Sequence, residues 1–104
     1  MKKITKKELK RLEKKETNKK DKLWREAIKL RDSNECVICG STNYVHTHHI
    51  IPRELKEYRW NVDNGICLCA KHHKFNREIS AHANPLEFVL WLQKNRKAQL
   101  KRLK

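Results

Sequence analysis

Two histidines stand side by side at 48 and 49, in the run His46-Thr47-His48-His49-Ile50-Ile51-Pro52, and a further one, His73, directly follows His72. Imidazole does two kinds of chemistry near neutral pH: it accepts a proton, and it ligates metal. A strand sends neighbouring side chains to opposite faces, so one member of the adjacent pair can hold an ion while the other faces a water. Asn64 sits in the turn signal Asp63-Asn64-Gly65, where its amide can bond backbone across the loop and pin His49. Any one of these histidines reads as an ordinary strand or surface residue. Their combination points to a metal-assisted site.

The cysteines suggest a second metal. Cys36 and Cys39 have two residues between them, a spacing that places two thiolates on one ion. Cys67 and Cys69 alternate on an expected strand and share a face, but lie about 7 Å apart by strand rise. That is awkward for one tetrahedral ion unless the strand bends. Cys69 and His72 repeat the two-residue gap, so the expected structural zinc set is Cys36, Cys39, Cys69 and His72. Cys67 is then a small buried residue, and a four-cysteine site is the alternative. Such a zinc would tie the Cys36–Gly40 knuckle to the junction where the histidines lie.

The run His48-His49-Ile50-Ile51-Pro52, then Asn64, then His73, resembles the HNH motif of the ββα-metal nucleases. Fourteen residues separate His49 from Asn64 and eight separate Asn64 from His73, gaps similar to those of the bacterial colicin DNases. The flanking cysteines resemble the zinc-stapled branch found in small phage and bacterial HNH proteins, as do Arg59-Trp60, Asn84-Pro85 and Trp91. The resemblance covers roughly residues 36–92. It implies an α+β, treble-clef-like ββα-metal domain with a structural zinc, flanked by N- and C-terminal helices. It implies His49 as general base, Asn64 as the residue that holds it, and His48 and His73 as ligands of a catalytic divalent metal (Mn2+, Ni2+, Co2+, Mg2+ or Zn2+). It also implies cleavage products with 5′-phosphate and 3′-hydroxyl ends. The colicin-like branch carries a further histidine four residues after the last one, where this chain has Arg77. Asn76, one helical turn from His73, is the expected substitute, with water or substrate phosphate as alternatives.

Charge says what these sites would act on. The chain has 104 residues and a net charge of +14, with 38% hydrophobic and 37% charged residues. Residues 1–31 carry +9, residues 32–93 carry −1, and residues 94–104 carry six basic residues and no acids. Basic ends on a neutral centre suit a polyanion such as a nucleic acid, and the resemblance implies that it is DNA, expected to be duplex. Three segments are expected: a basic helical arm at 1–31, the metal domain at 32–93, and a basic tail at 94–104. Arg53, Arg59, Lys74 and Arg77 are candidate DNA contacts. A core this small needs a staple. No secretory or membrane segment is read, so an intracellular setting with reduced thiols is expected, the cytoplasm of a bacterial or phage-infected cell. A homodimer or a phage packaging partner is left open.

The elements that must position these residues are legible in outline. Thr5 with Glu8 reads as a capping box opening a helix, with 13–22 as a solvated helix or fray. Leu23, Trp24, Ala27, Ile28 and Leu30 give an apolar face, and residues 32–35 a stop. Strands are expected over 44–51 and 66–69, with a short helical piece in 53–63. A helix is expected from about Ala70 to Ser80. Another starts at Asn84-Pro85-Leu86-Glu87, carries Phe88, Val89, Trp91 and Leu92, and frays into the tail. Trp24, Trp60 and Trp91 are expected in the core, His46 as a flanking strand residue or accessory ligand, and His82 as a cap or packing residue. The competing readings are a zinc-stapled DNA-binding module without catalysis, and an RNA-binding zinc protein.

Overall fold

The computed structural model describes residues 3–104. Met1 and Lys2, the first residues of the expected arm, lie outside the described residues. Helix α1 runs unbroken over Lys6–Arg31, and the Thr5 side chain accepts from the Glu8 amide at 3.1 Å, as the capping box requires. The polar stretch 13–22 does not fray. Asp32 closes the helix, and Ser33 and Asn34 turn the chain through the left-handed region, with φ of 57° and 52°.

Two antiparallel strands follow, β1 (Val45–His49) and β2 (Gly65–Cys69), with His48 opposite Ile66 and His49 opposite Gly65. β1 is shorter than the expected 44–51, because Ile50 and Ile51 already bend away, whereas β2 takes in Gly65 beyond the expected 66–69. Between them lie α2 (Lys56–Arg59) and a 3-10 turn, Val62–Asn64. After β2 come a π-helical turn (Lys71–Phe75), α3 (Pro85–Asn95) and α4 (Lys97–Leu103).

Every residue of β2 is buried, because the hairpin is covered on both sides. Ile66, Leu68, Cys36 and Cys69 pack with Phe88 and Leu92 of α3. On the other side Cys67 packs with Trp24 and Ile28 of α1. Gly65 lies so close to α1 that a Cβ there would run into the Ile28 and Trp24 side chains. The first half of α1 projects free of this body, which stretches the molecule to 58 × 29 × 24 Å.

Two expectations are corrected. The helix over 70–80 is a single π-helical turn that stops at Asn76, whose ψ of 122° is extended. The Asn76 Oδ1 accepts from the Glu78 and Ile79 amides at 2.8 and 3.0 Å, a local bond that competes with helix continuation. The carbonyls of His72 and His73 instead accept from Ala81 and His82 at 2.9 and 3.0 Å, so the chain folds back on the turn.

The last helix does not fray into the tail either. Arg96 breaks it and α4 restarts, burying Gln99 and Leu103. Gln99 Nε2 donates to the carbonyls of Asp63 and Gly65, each at 2.9 Å, and Arg102 pairs with Asp63 at 3.1 Å. The C-terminal helix thus clamps the turn that carries Asn64. Among the described residues, no helix is long and apolar enough to cross a membrane.

Candidate metal centres and nuclease site

The knuckle brings Cys36 and Cys39 against the end of β2, with Val37 donating to the Cys67 carbonyl at 3.0 Å and Gly40 to that of Cys36 at 2.7 Å. Gly40 takes a left-handed φ of 76°, which a side chain would resist. Cys39 Sγ lies 3.8 Å from Cys69 Sγ, and His72 Nδ1 lies 3.3 Å from Cys69 Sγ and 3.6 Å from Cys36 Sγ. A tetrahedral ion with Zn–S of about 2.3 Å sets its sulfurs about 3.8 Å apart, so the donor set and spacing fit a metal of that kind. All four donor atoms lie within 4.8 Å of one another. Burial holds His72 below its usual pKa, in the neutral form a ligand needs. At Cys36 burial opposes the thiolate, but the amides of Cys69, Cys39 and Ile38 outweigh it and lower the pKa.

Cys67 stands apart. The strand alternation breaks at Ala70, which is already helical, so Cys69 turns toward the knuckle while Cys67 faces α1. Burial, helped by Asp32, pushes the Cys67 thiol up to about 11. It stays protonated and is no part of the quartet.

His48 and His49 divide as a strand demands. On one face His48 meets His73 and His82, with ring centroids 5.0 and 5.5 Å away. His73 Nε2 and His82 Nε2 are 3.1 Å apart, the separation of two nitrogens on one ion of M–N about 2.0–2.1 Å. Donor atoms of all three lie within 4.8 Å of one another, so this trio fits a second metal. Burial and neighbouring histidines push His48 and His73 down to about 4, leaving both neutral at pH 7. The fold-back of residues 77–82 is what delivers His82. The position expected to supply the third ligand, Asn76, spends its side-chain oxygen on the Glu78 and Ile79 amides. His46 is exposed, 6.1 Å from the His73 ring.

On the other face His49 stacks on Trp24 at 3.8 Å with 5° between the planes. Its Nε2 is 3.0 Å from the Arg59 carbonyl. A carbonyl can only accept, so Nε2 carries the proton and Nδ1 keeps a free lone pair. Burial lowers the His49 pKa, more than the bond to Arg59 raises it. The ring borders a small opening of about 170 Å³ lined by Asp21, Trp24, Arg25, Thr47, Arg53 and Arg59.

Asn64 acts through the loop. It is fully buried, accepts from the Ile51 amide at 2.6 Å, and donates to the carbonyls of Ile51 and Tyr58 at 2.9 and 3.1 Å. The next carbonyl after Tyr58 is the one that orients His49. Asn64→Ala should orphan these buried groups at about 1–3 kcal/mol each and loosen the loop. The expected result is a lower Tm with faster hydrogen exchange at the Ile51 amide; unchanged exchange would refute the clip.

Arg59 is bound by Asp21 of α1 through two contacts of 2.7 and 3.0 Å, and Trp60 Nε1 donates to the same carboxylate at 2.9 Å. Arg53, Lys74 and Arg77 are exposed. Sequence reasoning passed over Asp21, Trp24 and Arg25 as parts of arm and core, and His82 as packing. No local spacing marks the first three. For His82 the signal was the missing histidine at 77 with another only five residues on.

A two-stranded sheet and a helical turn carrying a Cys3His group define a small α+β metal-site domain. Residues 36–75 match the family model described as HNH endonuclease, in agreement with the resemblance in the sequence. No curated protein and no solved structure matches the chain. His82, Trp24 and the arginine at 25 lie outside the matched segment.

Proposed function

We propose that this protein is a metal-dependent endonuclease that hydrolyses DNA phosphodiester bonds, with His49 as general base and zinc as the ion of the Cys36, Cys39, Cys69 and His72 quartet. The observation that carries the reading is the setting of His49: a ring fixed on two sides, with Nε2 turned to the Arg59 carbonyl and Nδ1 facing an opening lined by three arginines. His48, His73 and His82 would hold a divalent metal, which when bound neutralises developing charge on the phosphate and leaving oxygen.

His49 takes the proton of the attacking water on Nδ1. Trp24 and the Arg59 carbonyl keep the ring from turning as it becomes charged. Arg25 and Arg53 favour a phosphate at the opening, whereas Arg59 is largely spent on Asp21. Lys74 and Arg77 would meet the backbone on the His73 side. Asn64 positions the loop and touches no reacting atom.

The basic arm would guide the duplex to this opening. Lys7, Lys10, Arg11, Lys14 and Arg25 recur at helical spacing along one face of α1, so the last of them lines the His49 opening. Replacing Lys7, Lys10, Arg11 and Lys14 by glutamine should weaken binding and flatten the salt dependence by up to about 4 log–log units. Cleavage at saturating DNA should change little. A variant that binds as tightly as the parent would remove the arm from the interface.

The test of the whole reading is incubation of the protein with supercoiled plasmid across Mn2+, Ni2+, Co2+, Mg2+ and Zn2+. Binding without nicking in any metal would favour the non-catalytic zinc module, and tighter binding to RNA than to duplex DNA of equal length would favour an RNA partner.

A further inference from the structure

We propose that α1 is also a dimerisation element, pairing antiparallel with the α1 of a second copy of this chain. Leu9, Leu12, Leu23 and Leu30 are 49%, 48%, 57% and 84% exposed. Positions 9, 23 and 30 fall on one seven-residue repeat and 12 stands three beyond 9, so the four form a single narrow stripe. The stripe is separate from Trp24 and Ile28, which fix the helix to the body, and lies roughly opposite the basic face of Lys7, Lys14 and Arg25. A seven-residue apolar repeat is matched by another helix wound against it, not by a flat surface.

Charge selects the occupant and its direction. Glu16 and Lys19 fill the middle of the stripe. On its margins Glu8 lies toward one end and Lys29 toward the other. In a parallel pair Glu8 would face Glu13, and Lys15 would face Lys20, like against like. In an antiparallel pair centred between Thr17 and Asn18, Leu12 faces Leu23, Glu16 faces Lys19, and Glu8 faces Lys29. Two-fold symmetry makes each of these contacts twice. The opposing terms are Lys15 beside Lys22, on the outer margin where solvent screens it, and Leu9 and Leu30, which in this register meet Glu26 and Thr5. With only four apolar positions the pair should be weak and concentration-dependent.

The pairing has a consequence that rests on the nuclease reading. Trp24, beneath His49, comes opposite residue 11 of the second copy. Thirteen residues of helix then offset the two sites by roughly 20 Å along the axis. Because the basic face lies opposite the stripe, the two openings point away from each other, so each site of the dimer would engage its own stretch of duplex.

The test is sedimentation equilibrium of the full chain near physiological salt, with circular dichroism to show that each variant keeps its helix. The parent should rise with concentration toward twice its 12.6 kDa. Leu23→Lys should weaken association by roughly tenfold or more, since it removes a leucine contact twice per dimer. Glu16→Lys and Lys19→Glu should each weaken it. The double variant, which keeps the net charge, should restore it. A parent that stays monomeric at every concentration overturns the proposal. So does a double variant that fails to recover, or a Lys19→Glu chain that associates as well as the parent.

Discussion

His49→Ala is expected to lower the cleavage rate by roughly 10²–10⁴-fold, the usual contribution of a general base. Zinc content and DNA affinity should stay as in the parent, because the ring is in neither the Cys3His group nor the basic face of α1. Trp24 loses its stacking partner but keeps its bond from Nε1 to the Asn61 carbonyl at 2.8 Å, so the fold should survive. The pH dependence has a definite sign. The base works when deprotonated, and burial lowers its pKa from 6.5, so cleavage should persist somewhat below that pH before failing. His48 and His73, at about 4 in the metal-free protein, do not take protons until the solution is far more acid. Protons compete with the ion for the ligand histidines but not for the base, so a limb set by His49 should not move when metal is raised. A limb that follows metal concentration would assign it to the ligands, and normal cleavage by His49→Ala would show that another group is the base.

Cys36→Ser should abolish the folded domain. Cys36 is buried, its sulfur lies 3.6 Å from His72 Nδ1, and it belongs to the apolar cluster between β2 and α3. Metal binding at a structural zinc site is worth about 10–16 kcal/mol, which is folding free energy when the apo chain lacks a core of its own. A domain of this size has only about 5–15 kcal/mol of stability to lose. Cys67→Ser should cost less, about 1–3 kcal/mol, because it puts a hydroxyl among apolar neighbours but removes no donor of the quartet. Tryptophan fluorescence is the proper measure. The free half of α1 can keep helical signal after the body has melted, whereas Trp24 is buried only while α1 and the hairpin are together. Equal damage from the two substitutions would mean that Cys67 is a ligand. A folded, zinc-free Cys36→Ser chain would mean that the quartet is not a staple.

Much of this arrangement was written locally in the chain. The two-residue gaps of Cys36–Cys39 and Cys69–His72 pick out the quartet that the structure gathers, because a single turn decides where both donors point. The period of two along a strand separates His48 from His49 before any fold is known. Thr5 with Glu8, and Asn84 with Glu87, cap their helices as their spacing requires, since a cap bond spans three residues. A strand bend was the condition on which Cys67 and Cys69 could share one ion; the turn at Ala70 instead separates them, and Cys67 faces α1. Other features depend on contacts between distant segments, which no local pattern encodes. His82 reaches His73 only because Asn76 bonds its own loop and leaves two carbonyls for Ala81 and His82. Trp24 reads as one more core tryptophan, and the 24 residues between it and His49 give no hint that the rings stack. The expected tail is a helix because Gln99 finds the Asp63 and Gly65 carbonyls more than thirty residues away. The sequence by itself determined which atoms could ligate metal and take up protons; the tertiary structure decided which of them meet, because that depends on where a returning chain can satisfy its buried donors and acceptors.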